Sequence, residues 1–419
     1  MDCAIPFLNR NRLDNSNKKR KKAIIPQRVK LGKHVSKHFI NWNLIPYLPM
    51  RFAVLTLLFC FTLTFSAYSQ SRPRDLGITI GILPVGENNA ITDVPGVKVG
   101  HLTKTDGNNI RTGVTAILPH GGNIFQQKVP AAIYVGNGFG KLAGSTQVQE
   151  LGNIESPIIL TNTLSLAAGI EGAVRYSLEQ KGNENAQSVN AVVGETNDGY
   201  LNDIRGMHIS SEEVIQAIMS AESGTVAEGN VGSGTGTVCF GWKGGIGTAS
   251  RKLPESLGGY TVGVLVQTNF GGNLQIDGVA VGEKLGKYPF RDAMEKSDGS
   301  CMIVVATDAP VLDRNLERMA MRAMMGLAKT GGIASNGSGD YVIAFSTAEG
   351  LRIPYVLEAQ TLEKAEFIQN DDMSSLFMAV IEATEEAIIN SLFAAETMTG
   401  KDGHTVAKLP VEQVMNWMK

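Results

Sequence analysis

The stretch that most limits what this chain can become is residues 297–310, Ser-Asp-Gly-Ser-Cys-Met-Ile-Val-Val-Ala-Thr-Asp-Ala-Pro. The turn signal Ser297-Asp298-Gly299 runs straight into an apolar, β-branched run from Met302 to Ala306. Its length and composition predict a buried strand. Ser300 therefore stands at the mouth of a strand, directly after a glycine. Lacking a Cβ, Gly299 can take a strained backbone in which the Ser300 hydroxyl reaches the carbonyl before it. Cleavage of the Gly299–Ser300 bond would make Ser300 a new N-terminus. Its freed α-amine, with an ordinary pKa of roughly 7.7–8.0, would then act as base for the hydroxyl on its own residue. An ordinary loop before a strand carries the same local pattern, so the rest of the chain must decide.

Charge is segregated along the 419 residues, and the formal net charge of −2 hides it. Residues 1–49 hold eleven Lys/Arg, five of them in the run Lys18-Lys19-Arg20-Lys21-Lys22, against two acids, Asp2 and Asp14. Met50-Arg51 then opens an apolar segment from Phe52 to Phe65, followed by Ser66-Ala67-Tyr68-Ser69-Gln70. A positive start, an apolar core and a small-x-small end match a secretory signal peptide. The run is short of the roughly 20 residues a membrane span needs. Residues 1–69 are thus expected to be a leader, with Met50 as the start of translation and cleavage before Gln70. That implies a periplasmic or secreted protein with no stable membrane span. Without the leader, 26 basic and 38 acidic residues remain, a net charge of −12, which argues against a nucleic-acid partner. Only Cys239 and Cys301 survive into that portion. Both sit beside apolar residues and read as buried thiols, although an exported location would permit a bridge.

From Asp75 onward the chain is punctuated by glycine and mixes strands with helices. Strands are expected at 97–100, 113–118, 131–135, 158–163, 189–193, 260–267, 302–306 and 341–345. Helices are expected at Leu166–Leu178, from the capping box Ser210-x-x-Glu213 to about Ala221, at Leu312–Lys329 and at Met373–Ala394, the last with one buried face. Such mixing with one sizeable core fits a layered α+β domain over 70–419.

Several constellations compete for chemistry. Gly232-Ser233-Gly234-Thr235-Gly236 lacks the Lys-Ser/Thr pair and the spacing of a phosphate loop, so no nucleotide cofactor is implied. The histidines His101, His120, His208 and His404 are widely separated, with no metal-ligand spacing and no G-x-S-x-G elbow nearby. A serine nucleophile here needs a base from elsewhere, and the Ser300 amine meets that need. Ser250, in Gly247-Thr248-Ala249-Ser250-Arg251, is a rival that spacing does not rank below Ser300. Asn269 closes a strand in Thr268-Asn269-Phe270-Gly271 and is either a turn residue or an amide donor to an oxyanion. Ser338 and Asp340, in Asn336-Gly337-Ser338-Gly339-Asp340, either form a turn or orient the Ser300 amine. Tyr200, in Asp198-Gly199-Tyr200, either packs at the surface or donates its hydroxyl near a reacting carbonyl.

Taken in order, the blocks Asp75–Ile78, Asn89–Gly100, Glu195–Ile204, Ala227–Arg251, Gly299–Pro310, Ser335–Thr347 and Ala383–Ile388 resemble the DmpA-type L-aminopeptidase/D-esterase-amidases and β-peptidyl aminopeptidases. The resemblance spans most of the chain after residue 70. It implies a four-layer α/β/β/α sandwich and autocleavage at Gly299–Ser300 into an α chain 70–299 and a β chain 300–419. It further implies Ser300 as nucleophile with Ser338 and Asp340 as partners, Asn269 as oxyanion donor, and Tyr200 as a catalytic tyrosine near the nucleophile. A homotetramer of αβ units acting on short peptides, amides or esters is also implied. An acyltransferase resembling ornithine acetyltransferases, or a non-catalytic protein of the same fold, are the alternatives. The former use a threonine nucleophile inside the cell.

Overall fold

Apolar runs long enough for a strand recur along the chain, and two sheets gather them. The computed structural model describes residues 72–289, 298–355 and 364–418. The leader expected over 1–69 lies outside the described residues. The principal elements are β1 (Lys98–Asp106), β2 (Ile110–Leu118), β3 (Gln127–Gly138), β4 (Ile158–Asn162), α1 (Leu166–Leu178), β5 (Val192–Thr196) and α2 (Ser211–Met219). They continue with β6 (Ile246–Lys252), β7 (Thr261–Asn269), β8 (Asp298–Thr307), α3 (Asp313–Lys329), β9 (Gly337–Ser346) and α4 (Ser374–Phe393).

The first sheet runs β1-β2-β4-β5, and the second runs β6-β7-β8-β9-β3. In the second, β8 and β9 are parallel and joined through α3, whereas the other neighbours are antiparallel. Between the sheets, Ile117, Ile158 and Leu160 meet Leu265, Met302, Val304 and Phe345. On the far side of the second sheet, Ile303 and Val305 pack under Leu316 and Met319 of α3 and Ile388 and Leu392 of α4. On the far side of the first, Val114, Ala116 and Ile159 pack under Ala173 of α1 and Val214 and Ile218 of α2. Three apolar layers therefore separate four layers of secondary structure, the α/β/β/α order expected. They also explain why 302–306 is an unbroken apolar run. Alternate residues face two different cores, so neither face tolerates a polar side chain.

Ser210 accepts a hydrogen bond from the Glu213 N–H at 3.3 Å, and Glu213 returns one from the Ser210 N–H at 2.9 Å, which completes the capping box of α2. One expectation needs correction. The helix at 373–394 does not bury one face. Its residues from Glu382 to Phe393 are all buried, because it lies against the second sheet and under α3. The glycine-dense stretch through Ser250 also holds a strand, β6, on the edge of the second sheet.

Candidate active site

The site begins with register. Asn269, last residue of β7, is paired with Ser300 in β8, Ser300 with Gly339 in β9, and Gly339 with Gly138 in β3. One row across the second sheet thus carries the serine and its neighbours. Ser300 is 7% exposed, and its hydroxyl donates to the Gly299 carbonyl at 2.7 Å. The Gly339 N–H donates to that hydroxyl at 3.3 Å. A Cβ on Gly299 would collide with the Phe270 backbone, so the glycine is required by a close approach of chains.

The Asn269 carboxamide is fixed by the Val238 N–H, which donates to its Oδ1 at 3.0 Å. That hydrogen bond orients the group so that its NH2 is the end presented to the cavity, which Asn269 lines together with Ser300. Ser338 and Asp340 flank the row. They lie opposite Gly299 and Cys301, the two neighbours of Ser300. The Ser338 hydroxyl donates to Asp340 Oδ1 at 2.8 Å, while Oδ2 is buried without a partner among the described residues. Burial pushes the Asp340 carboxyl up to about 6, against the pull of the Ser338 hydroxyl and the Cys301 N–H.

A cavity of about 1030 Å³ opens over this row. Its walls include Phe139, Phe240, Phe270 and Tyr288 as well as Thr163, Lys141 and Glu195. Glu195, 3% exposed at the end of β5, accepts from the Lys141 N–H at 3.0 Å and from the Thr163 hydroxyl. The Lys141 ammonium stands 3.6 Å away. A buried carboxylate so held offers a cavity-facing binding point for a cationic group. Sequence reasoning gave Glu195 no role, although it stands one residue from the end of a strand much as Asn269 stands at the end of another. Tyr200 lines the same cavity at its rim. It is 54% exposed and stacked on His404 at 4.5 Å, with the His404 Nδ1 2.9 Å from its carbonyl.

The rival serine is elsewhere. Ser250 is buried within β6, donates to Asp93 Oδ2 at 2.6 Å and accepts from the Gly86 N–H at 3.0 Å. It ties the segment before β1 to the sheet edge. Cys239 and Cys301 are buried free thiols, both pushed up by burial. Among the described residues, no group of three or more His, Cys, Asp or Glu side chains is arranged to hold a metal.

Comparison with known proteins follows the same lines. Residues 89–406 match the model of peptidase family S58. The chain is 42% identical over 365 residues to the β-peptidyl aminopeptidase BapA of Sphingosinicella microcystinivorans, covering 81% of this chain and 89% of that protein. Among solved structures, a Burkholderia sp. β-aminopeptidase superposes with a TM-score of 0.77 at 41% identity, over 83% of this chain and 98% of that one. The L-aminopeptidase D-Ala-esterase/amidase of Ochrobactrum anthropi, described as a variant of the Ntn hydrolase fold, superposes with a TM-score of 0.75 at 35% identity. That match covers 82% of this chain and 96% of that one.

Proposed function

The chain belongs to peptidase family S58 and is a serine aminopeptidase, and we propose that it makes its own nucleophile by cutting Gly299–Ser300. In the uncut chain the Ser300 hydroxyl attacks the Gly299 carbonyl carbon. The tetrahedral intermediate collapses with loss of the Ser300 nitrogen, leaving an ester that water hydrolyses. Two chains result, 70–299 and 300–419, and Ser300 gains a free amine beside its hydroxyl.

In the mature site, Glu195 holds the ammonium of a short peptide, amino-acid amide or ester, and the adjacent carbonyl reaches Ser300. The Ser300 amine takes the hydroxyl proton as Oγ attacks, then delivers it to the departing amine. The Asn269 NH2 stabilises the oxyanion. Ser338 and Asp340 hold the charge that develops on the Ser300 amine. Water then hydrolyses the acyl-enzyme. Tyr200, at the rim, serves the incoming substrate. Names of relatives favour β-linked residues among the substrates. The Phe52–Phe65 segment supports export to the periplasm or beyond, and the family resemblance supports a homotetramer of αβ units.

One observation carries this reading: a serine hydroxyl 2.7 Å from the carbonyl oxygen of the peptide bond that precedes it, at the floor of a cavity. Intact-mass analysis of purified protein tests it. The wild type is expected as two chains split at Gly299–Ser300, and Ser300→Ala as one inactive chain. A wild type that turns over amide substrates while uncut overturns the mechanism.

A further inference from the structure

On β3, two strands from the Gly299–Ser300 bond, one side chain converges on the loop that enters β9. The Asn137 NH2 donates to the Ser335 carbonyl at 3.0 Å, to the Asn336 carbonyl at 3.4 Å and to the Ser338 carbonyl. Three carbonyls around one end of a carboxamide leave no ambiguity about which end it is, since its oxygen would face three acceptors. The Ser338 carbonyl also accepts from the Phe139 N–H at 3.2 Å.

Asn137 reaches these carbonyls because β3 is irregular at this point. Asp340 pairs with Asn137, but Tyr341 pairs with Val135, so Gly136 has no partner of its own in β9. The extra residue is a bulge, and bulges re-aim the side chains beside them. The bulge lies against Met324 of α3, whose flexible side chain would have to move to admit a side chain at 136.

The Ser338–Gly339 peptide connects this clamp to the nucleophile. A trans peptide is planar, with C=O and N–H pointing in opposite directions. Its carbonyl is held by Asn137 and Phe139, and its N–H points at the Ser300 hydroxyl. Tilting the carbonyl must tilt the N–H. The N–H donates to Oγ and occupies one lone pair, so it fixes which direction the other faces and stabilises negative charge as the hydroxyl loses its proton.

We propose that Asn137 is a positioning residue for the hydrolysis of substrates: through the Ser338–Gly339 peptide it aims the Gly339 N–H at the Ser300 hydroxyl. It acts through the peptide and does not line the substrate cavity, so it governs the chemical step and leaves binding alone. The inference rests on Ser300 being the nucleophile.

The test compares fully processed wild type with Asn137→Ala, Asn137→Ser and Asn137→Asp, with rates normalised to the amount of chain 300–419. Asn137→Ala is expected to lower kcat by about tenfold with KM within about twofold, the effect of one lost hydrogen bond felt in the transition state. Asn137→Ser, which keeps one donor, is expected to recover part of kcat. Asn137→Asp turns acceptors toward carbonyls and is expected to be the slowest. Thermal midpoints are recorded alongside, and Asn137→Ser carries the test if Asn137→Ala does not fold. A kcat within twofold of wild type in Asn137→Ala overturns the proposal, as does a loss that merely tracks the folded fraction or falls on KM. A wild type that is uncut yet active would instead remove the Ser300 mechanism itself, so the two failures are distinguishable.

Discussion

At the scale of single residues, each polar group in the row has one job that its neighbours cannot cover. Asn269 presents an NH2 because Val238 occupies its oxygen. Asn269→Ala is expected to lower kcat by roughly 100–1000-fold, the loss seen when one oxyanion donor is removed, with KM little changed in steady-state kinetics. Glu195 is the only carboxylate lining the cavity among the described residues. Glu195→Gln keeps the contacts with Thr163 and Lys141 in shape but removes the charge. It is expected to raise KM about tenfold or more for substrates with a free amine, and a kcat defect at constant KM would contradict that role. Asp340 makes the site pH-dependent. Its carboxyl, pushed up to about 6, must ionise to hold a cationic amine. Substrate turnover by the processed enzyme is therefore expected to speed up as pH rises through 6. Processed Asp340→Asn should be slow and flat over that window when initial rates of amide hydrolysis are followed. For stability the sign is reversed. A carboxyl raised above its unfolded value favours the fold while protonated, and this contribution fades between about pH 4 and 6.

At the scale of elements, α4 is held by charge as well as by apolar contact. Arg251 of β6 is fully buried, 2.9 Å from Glu382 and 2.7 Å from Glu386. Arg74 reaches Glu386 from the other side at 2.5 Å. Burial pushes the Glu386 carboxyl up, but Arg74, Arg251 and Asn89 outweigh it and leave the group below its ordinary value. Its contribution is thus present at neutral pH and lost as pH falls below about 4.5. Arg251→Met takes the guanidinium from buried Glu382 and leaves Glu386 to Arg74, and it is expected to cost about 3–5 kcal/mol in urea unfolding at pH 7. These pairs also show what a sequence hides. The helices Leu166–Leu178 and 313–329 were legible from apolar spacing, and β8 from its unbroken run. Strand β6 was not, because Gly247, Thr248, Ser250 and Arg251 look polar until Glu228, Asn89, Asp93 and Glu382 are seen to satisfy them. The full burial of α4 was hidden for the same reason, since its glutamates read as a wet face. Ser300, Asn269, Ser338 and Asp340 were found as polar residues at the ends of apolar strands. Glu195 meets that description too, but its cavity depends on β5 facing β8 across the sheets, which no local pattern records.

At the scale of the whole molecule, the proposed cut falls where it would separate sequence without separating structure. In the second sheet β6 and β7 precede residue 300, β8 and β9 carry it and follow it, and β3 comes again from before it. The two chains that the proposed cut gives are therefore interleaved in the order α, α, β, β, α. Ladders β7–β8 and β9–β3 both cross from one chain to the other, and helices α3 and α4 of the β chain cover strands from both. Dissociation would break both ladders and open the core between the sheets, so it amounts to unfolding. The α and β chains are accordingly expected to co-elute at the mass of an intact unit under native conditions and to part only in denaturant. Folding has no such symmetry. The uncut chain brings β7 and β8 together through one covalent connection, whereas separated chains must first meet, with exposed strand edges that pair wrongly. Ser300→Ala precursor is thus expected to refold after dilution from urea in high yield. The cut wild type should refold poorly, with a yield that depends on protein concentration. Equal, concentration-independent recovery of both forms, measured by near-UV circular dichroism and by activity of the wild type, would mean that each chain folds alone and that the interleaved sheet is not what holds the enzyme together.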